Sequence, residues 1–120
     1  MNRMDKINQR LKREVGDIVL KELKDPRLEF VTITQVEVTR DLQRAKVYFS
    51  VLGKEEQVEK ARTGLLSARG FVRKLVGQRV RLRYTPDLEF IYDHAIEYSA
   101  RIEAALQEIH IDLRTTHGTK

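Results

Sequence analysis

The sequence predicts a small α+β domain in which helices pack on one face of a three-stranded mixed sheet, in the order αββααβα. Three observations carry this. Apolar residues recur at helical spacing in the first 23 residues and again from about 55 to 76; two adjacent β-branched runs fill 28 to 51; and strict alternation returns between 79 and 92. The second and third strands are separated by a helical stretch, which permits parallel pairing, whereas the first two are close enough for a hairpin. A chain of 120 residues holds one core, since a second would need roughly 50 to 100 more residues. Residues 1–110 are therefore read as a single domain and 111–120 as a short flexible C-terminal tail.

The first helix rests on Ile7, Leu11, Val15, Ile18, Val19 and Leu23, spaced by three, four or one helical turn, with Lys6, Arg10 and Arg13 as a neighbouring stripe. Asp25-Pro26 stops it, because proline pushes its predecessor out of the helical region and cannot donate the next backbone bond. The run from Leu28 to Thr39 reads as a strand, yet Val31 and Ile33 are odd while Val36 and Val38 are even. A bulge between them, or burial on both faces, accounts for the slip. After a turn at 40–43, Ala45, Val47, Phe49 and Val51 alternate with Lys46, Tyr48 and Ser50 in a second strand.

Val58, Ala61, Leu65, Ala68, Val72, Leu75 and Val76 form the next helical stripe. Gly70 falls inside it, where glycine weakens a helix by about 1 kcal/mol relative to alanine, and Gly77 suits a C-terminal cap. The expectation is two short helices meeting at a kink near Gly70. The third strand is expected over 79–92, with Val80, Leu82, Tyr84, Leu88, Phe90 and Tyr92 on one face, Arg79, Arg81 and Arg83 on the other, and a bend or an edge position at Pro86. Asp93 can cap a last helix carrying Ile96, Ile102, Ala105, Leu106 and Ile109.

The formal net charge of +5 conceals an asymmetry. Residues 1–59 are nearly balanced at +1, residues 60–84 carry eight cations and no acid, and residues 85–113 carry seven acids against Arg101 alone. An acid-free basic block suggests a surface facing a polyanion. A basic run is also compatible with an ordinary solvated face, so charge alone leaves both readings open.

The chemistry the chain excludes is broader. With no cysteine, disulfide scaffolds, thiol nucleophiles and thiolate metal sites are ruled out. His94, His110 and His117 have no spacing that would place two ligands on one helical face, so no metal site and no cofactor is expected. Ser67 lacks a G-x-S-x-G elbow, and no phosphate-loop or dinucleotide fingerprint occurs. Nothing argues for an enzyme. The start MNRMDKINQRLKREVGD lacks the apolar core of a signal peptide, and no stretch approaches a membrane span, so the chain is read as cytoplasmic with no membrane partner.

Around Gly70 the pattern is more specific. Arg62, Arg69 and Arg73 share one helical face, and a glycine among arginines offers a close backbone approach beside charge. Either a ligand or a neighbouring element of the fold can use that approach. Tyr48, on the outward parity of its strand, is a weaker candidate for stacking on a base.

Taken together, these segments resemble the ribosome-binding factor A family across about residues 5 to 109. The resemblance rests on Asp25-Pro26-Arg27-Leu28 with Val31 to Thr34, on Asp41-Leu42 with Ala45-x-Val47-Tyr48, and on Ala68-x-Gly70-Phe71-Val72-Arg73. Arg81-Leu82-Arg83, Pro86-x-Leu88-x-Phe90 and Asp93 complete it. Asp93-His94-Ala95 departs from the family's frequent Asp-x-Ser, and Ser99 stands where glycine is common.

The resemblance implies a type II KH-like fold in which an Ala-x-Gly kink, here Ala68-Arg69-Gly70, replaces the GXXG loop with which RNA-binding KH domains clamp nucleic acid. It implies a non-enzymatic assembly factor, monomeric when free. Such a factor binds the small (30S) ribosomal subunit and its 16S rRNA, assists late maturation including the 5′ end of that RNA, and matters for growth in the cold. Whether an assembly GTPase is a further partner stays open. The expected RNA contacts are Arg62, Ser67, Ala68, Arg69, Gly70, Arg73 and Lys74 at the kink, with Lys6, Arg10, Arg13, Arg79, Arg81 and Arg83 as secondary candidates. The rival expectation is a protein interaction module that docks a basic partner through the acidic segment 85–113.

Overall fold

The computed structural model describes residues 1–94. The expected last helix beyond Asp93 and the C-terminal tail lie outside the described residues. Helix α1 spans Arg3–Lys21 and starts at a reciprocal cap: the Asn2 side chain accepts the Asp5 N–H at 2.8 Å, and the Asp5 carboxylate accepts the Asn2 N–H. Leu11, Val15, Ile18 and Val19 are its buried face, as their spacing requires.

Asp25-Pro26 does end the helical path. It also builds something, because the Asp25 carboxylate accepts the Arg27 N–H and opens a single 3-10 turn, Pro26–Leu28. The Arg27 guanidinium closes on the same carboxylate at 2.7 Å and holds its pKa below the ordinary carboxylate value. This clamp presses Leu28 into the core beside Gly64, whose missing Cβ would stand 3.0 Å from Leu28 Cδ2.

Strands β1 (Val31–Val38) and β2 (Arg44–Val51) pair antiparallel, and β3 (Asp87–Tyr92) pairs parallel to β2, so the sheet is mixed with the order β1-β2-β3. The expected bulge is present. Ile33 pairs with Phe49 and Gln35 with Tyr48, which leaves Thr34 over and turns Ile33, Val36 and Val38 all toward the core. The Thr34 hydroxyl donates to the Asp93 carboxylate at 2.6 Å. In the turn between β1 and β2, Leu42 adopts φ +63° while its side chain packs on the core. Partial burial of this leucine offsets some of the roughly 1–2 kcal/mol that a left-handed residue costs.

Both helices cover one face of the sheet. Ala45, Val47, Phe49 and Leu88 meet α1 and the second helix in a single cluster, while Thr32, Gln35, Glu37, Lys46 and Glu89 are exposed on the other face.

The structure corrects the sequence reading at two places. Where two helices and a kink are expected, one continuous helix, α2, runs from Glu55 to Arg79 through Ala68, Arg69 and Gly70. Glycine keeps its backbone donor, and its cost of about 1 kcal/mol is smaller than the burial of Leu65, Val72 and Val76 on either side. Nor does Gly77 cap the helix, which continues to Arg79 and closes with the Val80 N–H on the Val76 carbonyl at 2.8 Å. Gly77 serves a close approach instead: a Cβ there would meet Thr85 Oγ1 at 2.8 Å.

The third strand is also shorter than expected and begins at Asp87. Its register explains why. Arg44, the first residue of β2, is opposite Asp87, and the chain before Arg44 turns away, so residues 80–86 have no strand to pair with. Arg79, Arg81 and Arg83 therefore do not line a strand face.

Candidate nucleic-acid interface

Helix α2 buries Ala61, Leu65, Val72 and Val76, which turns Arg62, Arg69 and Arg73 to the flank beside β3. Between that flank and the beginning of β3 lies an open cleft of ≈ 600 Å³ lined by Arg44, Arg69, Gly70, Arg73, Asp87, Leu88 and Glu89. Gly70 is exposed at its wall, and beyond the neighbouring residues and backbone of its own helix no atom lies within 4 Å of the position a Cβ would take. The fold itself does not use this glycine. Of the two uses the sequence allows, the approach of a neighbouring element is absent among the described residues, and an open approach to the helix backbone remains.

The cleft's arginines differ in how free they are. The Arg73 guanidinium donates to the Thr85 carbonyl at 2.8 Å and pairs with Asp87 at 3.2 Å, tying α2 to the loop that leads into β3. Arg69 and Arg44, both lining the opening, make no ion pair or side-chain hydrogen bond among the described residues, so their forked donors are not engaged by the fold. Asp87 and Glu89 also line the cleft, Asp87 as the partner of Arg73 and Glu89 from the outer face of β3.

The remaining sequence candidates separate into groups. Arg62 is exposed on the same flank, 3.6 Å from Glu59, but does not line the cleft. Ser67 and Lys74 are exposed, whereas Ala68 packs against the core and presents nothing to a ligand. Arg81 and Arg83 are exposed on the loop before β3, with the Arg83 guanidinium 5.5 Å from the centre of the Tyr84 ring. Lys6, Arg10 and Arg13 lie on α1, away from the cleft.

Arg79 has a structural task. It reaches Asp17 at 2.7 Å and Glu14 and Glu22 at 3.4 Å, joining the end of α2 to α1. The guanidinium, followed by Lys21, holds the Asp17 carboxyl below its ordinary pKa, and Asp17 in turn raises that of Arg79.

Sequence reasoning misses Arg44, Asp87 and Glu89 as cleft residues. The first falls in a nearly neutral block and the other two in an acidic one. The signal that would join them is the parallel register of β2 and β3, which places Arg44 opposite Asp87. Among the described residues no group of three or more His, Cys, Asp or Glu side chains could hold a metal ion, and no helix is long and apolar enough to cross a membrane.

A family model described as ribosome-binding factor A matches residues 3–106. The crystal structure of ribosome-binding factor A from Thermus thermophilus superposes with a TM-score of 0.69 at 28% identity, covering 76% of this chain and 97% of that one. A solution NMR structure of a Thermotoga maritima protein, proposed as a ribosome-binding factor A, is 34% identical with a TM-score of 0.63, over 81% and 95% of the two chains. A homology model of the Thermus thermophilus factor, fitted into a cryo-EM map of its complex with the 30S subunit, matches at 31% identity and a TM-score of 0.61, over 72% and 91%.

Proposed function

Because this chain belongs to the ribosome-binding factor A family, we propose that it is a ribosome-binding factor that docks on 16S rRNA of the small subunit through the cleft between α2 and β3. A relative placed in the map of a 30S complex supports the partner. The observation that carries the site is Gly70: an exposed mid-helix glycine with open space above it, flanked by two unengaged arginines. Arg69 and Arg44 hold phosphates by charge-assisted bonds, Gly70 lets the RNA backbone approach the helix, and Arg62 and Lys74 extend the field. Arg73 positions the wall of the cleft.

The protein catalyses no covalent step in this reading. It binds one rRNA conformation better than another and thereby shifts the population toward it, by as much as its affinities differ. Late maturation of the subunit, including formation of the 5′ end of 16S rRNA, would then be assisted by holding the precursor in a competent form. The same action supports growth in the cold, where RNA leaves unproductive pairings slowly.

Reversing Arg44 and Arg69 to glutamate tests this directly. Binding to small subunits should fall at least tenfold while the melting temperature stays that of the unmodified protein. An unchanged affinity would sink the assignment of this cleft.

A further inference from the structure

The geometry points to a second RNA-binding surface on α1, at the opposite edge of the sheet, so that the domain holds two segments of RNA at a fixed separation. The inference rests on the reading of the α2–β3 cleft as an RNA site. Its own basis is a separate opening of ≈ 650 Å³ between α1 and β1, whose lining includes Lys6, Arg10, Lys12, Arg13, Gly16 and Ile33 and no acidic side chain. This opening holds more cations than the α2–β3 cleft and lacks the two carboxylates found there.

The chemistry favours RNA over the other polyanionic surfaces. Lys6, Arg10 and Arg13 advance along the helix axis by about 6 Å and then about 5 Å, so the charges form a line, as phosphates do along a strand. A helix that lies on a membrane needs an apolar face beside its basic one. The apolar face of α1, Leu11, Val15, Ile18 and Val19, is buried in the core instead. Gly16 leaves space at the floor of the opening, where the nearest neighbour of a Cβ would be Ile33 at 3.9 Å.

Both surfaces belong to one rigid frame. Arg79, on the same helix as Gly70, is gripped by Glu14 and Asp17 of α1 and by Glu22 at its C-terminal cap, and Arg10 donates to the Arg79 carbonyl at 3.2 Å. The outer strands β1 and β3 are separated by two strand spacings, about 10 Å, and each helix is about 10 Å across, so the two openings lie on the order of 20 Å apart. A rigid spacer of that size discriminates between rRNA conformations by the distance between two segments. Two linked sites also gain affinity together and lose it together.

The test is crosslinking of the full chain to small subunits, with the crosslinked nucleotides mapped, for the unmodified protein, for Lys6→Glu with Arg13→Glu, and for the cleft pair Arg44→Glu with Arg69→Glu. Lys6→Gln with Arg13→Gln replaces the α1 pair if the glutamates impair folding. Two separate groups of nucleotides are expected for the unmodified protein. The α1 variant should lose one group and at least tenfold in affinity, and the cleft variant should lose the other group. The inference is overturned if the α1 variants keep both groups and full affinity, if the α1 side crosslinks to a ribosomal protein instead, or if it proves to bind phosphatidylglycerol vesicles and not RNA. Loss of one group in the α1 variant, with no loss in the cleft variant, upholds RNA binding at α1 and overturns the cleft reading, and with it the fixed spacing between two segments.

Discussion

Replacing Gly70 with alanine separates what the fold asks of α2 from what the ligand asks of it. The helix is continuous through Gly70, and a methyl group there meets no atom within 4 Å beyond its own helix backbone and neighbours. Stability should rise by the helix-propensity difference, about 0.5–1 kcal/mol, which in a domain of this size lifts the melting temperature by roughly 2–6 °C. In the proposed function the same methyl stands where the RNA backbone approaches between Arg69 and Arg44. Displacing the phosphates enough to break one charge-assisted hydrogen bond costs about 1.5–3 kcal/mol, a loss of roughly 10- to 100-fold in affinity. Circular dichroism melting and titration against purified small subunits read the two effects independently. A more stable protein that binds as before would refute Gly70 as the point of approach. A less stable one would refute the account of the helix interior.

Gly64→Ala should have the opposite sign to Gly70→Ala: its Cβ would press on Leu28 at 3.0 Å and on Asp25 at 3.3 Å, both held by the Arg27 clamp, so thermal unfolding should show a net loss of about 1 kcal/mol after the helix-propensity gain. For Arg44→Glu with Arg69→Glu, the slope of log affinity against log salt should flatten by about 1.4–1.8 in magnitude, the contribution of two neutralised phosphates, as read from binding isotherms over a salt series. Glu89→Gln removes a carboxylate from the cleft and should tighten binding to unrelated RNA more than to the small subunit, which a competition assay measures. Asp17, Asp25 and Asp41 all have folded pKa values held below the ordinary carboxylate value of about 4, so their contribution to stability is complete above that value and lost as the pH falls through the folded ones. Denaturant unfolding between about pH 2 and about pH 7 should therefore decline below about pH 4, and Asp17→Asn should make that decline shallower.

The parts of the fold visible in the sequence are those fixed by local pattern. The α1 stripe, the stop at Asp25-Pro26 and the parity slip that becomes the bulge at Thr34 each depend on neighbours within a few residues. The parts not visible depend on partners far along the chain. Alternation across residues 79–83 reads as strand, but β2 begins only at Arg44 and leaves those residues nothing to pair with, while Arg79 is drawn into α2 by carboxylates 65 and 62 residues away. Gly70 reads as a break because propensity is a local quantity. The burial on either side of it is tertiary, and it is larger. The candidate site is legible in the sequence as Arg62, Arg69, Gly70 and Arg73 on one helix. Its other wall is not, because only the parallel register brings Arg44, Asp87 and Glu89 to that helix.

That second wall changes what the basic block means. Read along the chain, residues 60–84 are acid-free and the acids come afterwards; in space, Asp87 and Glu89 line the same cleft as Arg69, and Arg79 is paired with three acids of α1 and its C-terminal cap. Arg62 and Lys60 pair only loosely with Glu59 and Glu56, exposed contacts of at most about 1 kcal/mol that phosphates can displace. The cleft is thus less cationic than the sequence suggests: α2 contributes Arg69 and Arg73, and the strand side carries Arg44 together with Asp87 and Glu89. A uniformly basic groove binds any RNA. One in which carboxylates interrupt the arginines holds a phosphate backbone only where it passes the cations, so affinity falls for most RNA and depends on how the bound segment is placed. That is the electrostatic form a factor needs if it acts by differential affinity, because holding the correct conformation matters more to it than holding RNA tightly.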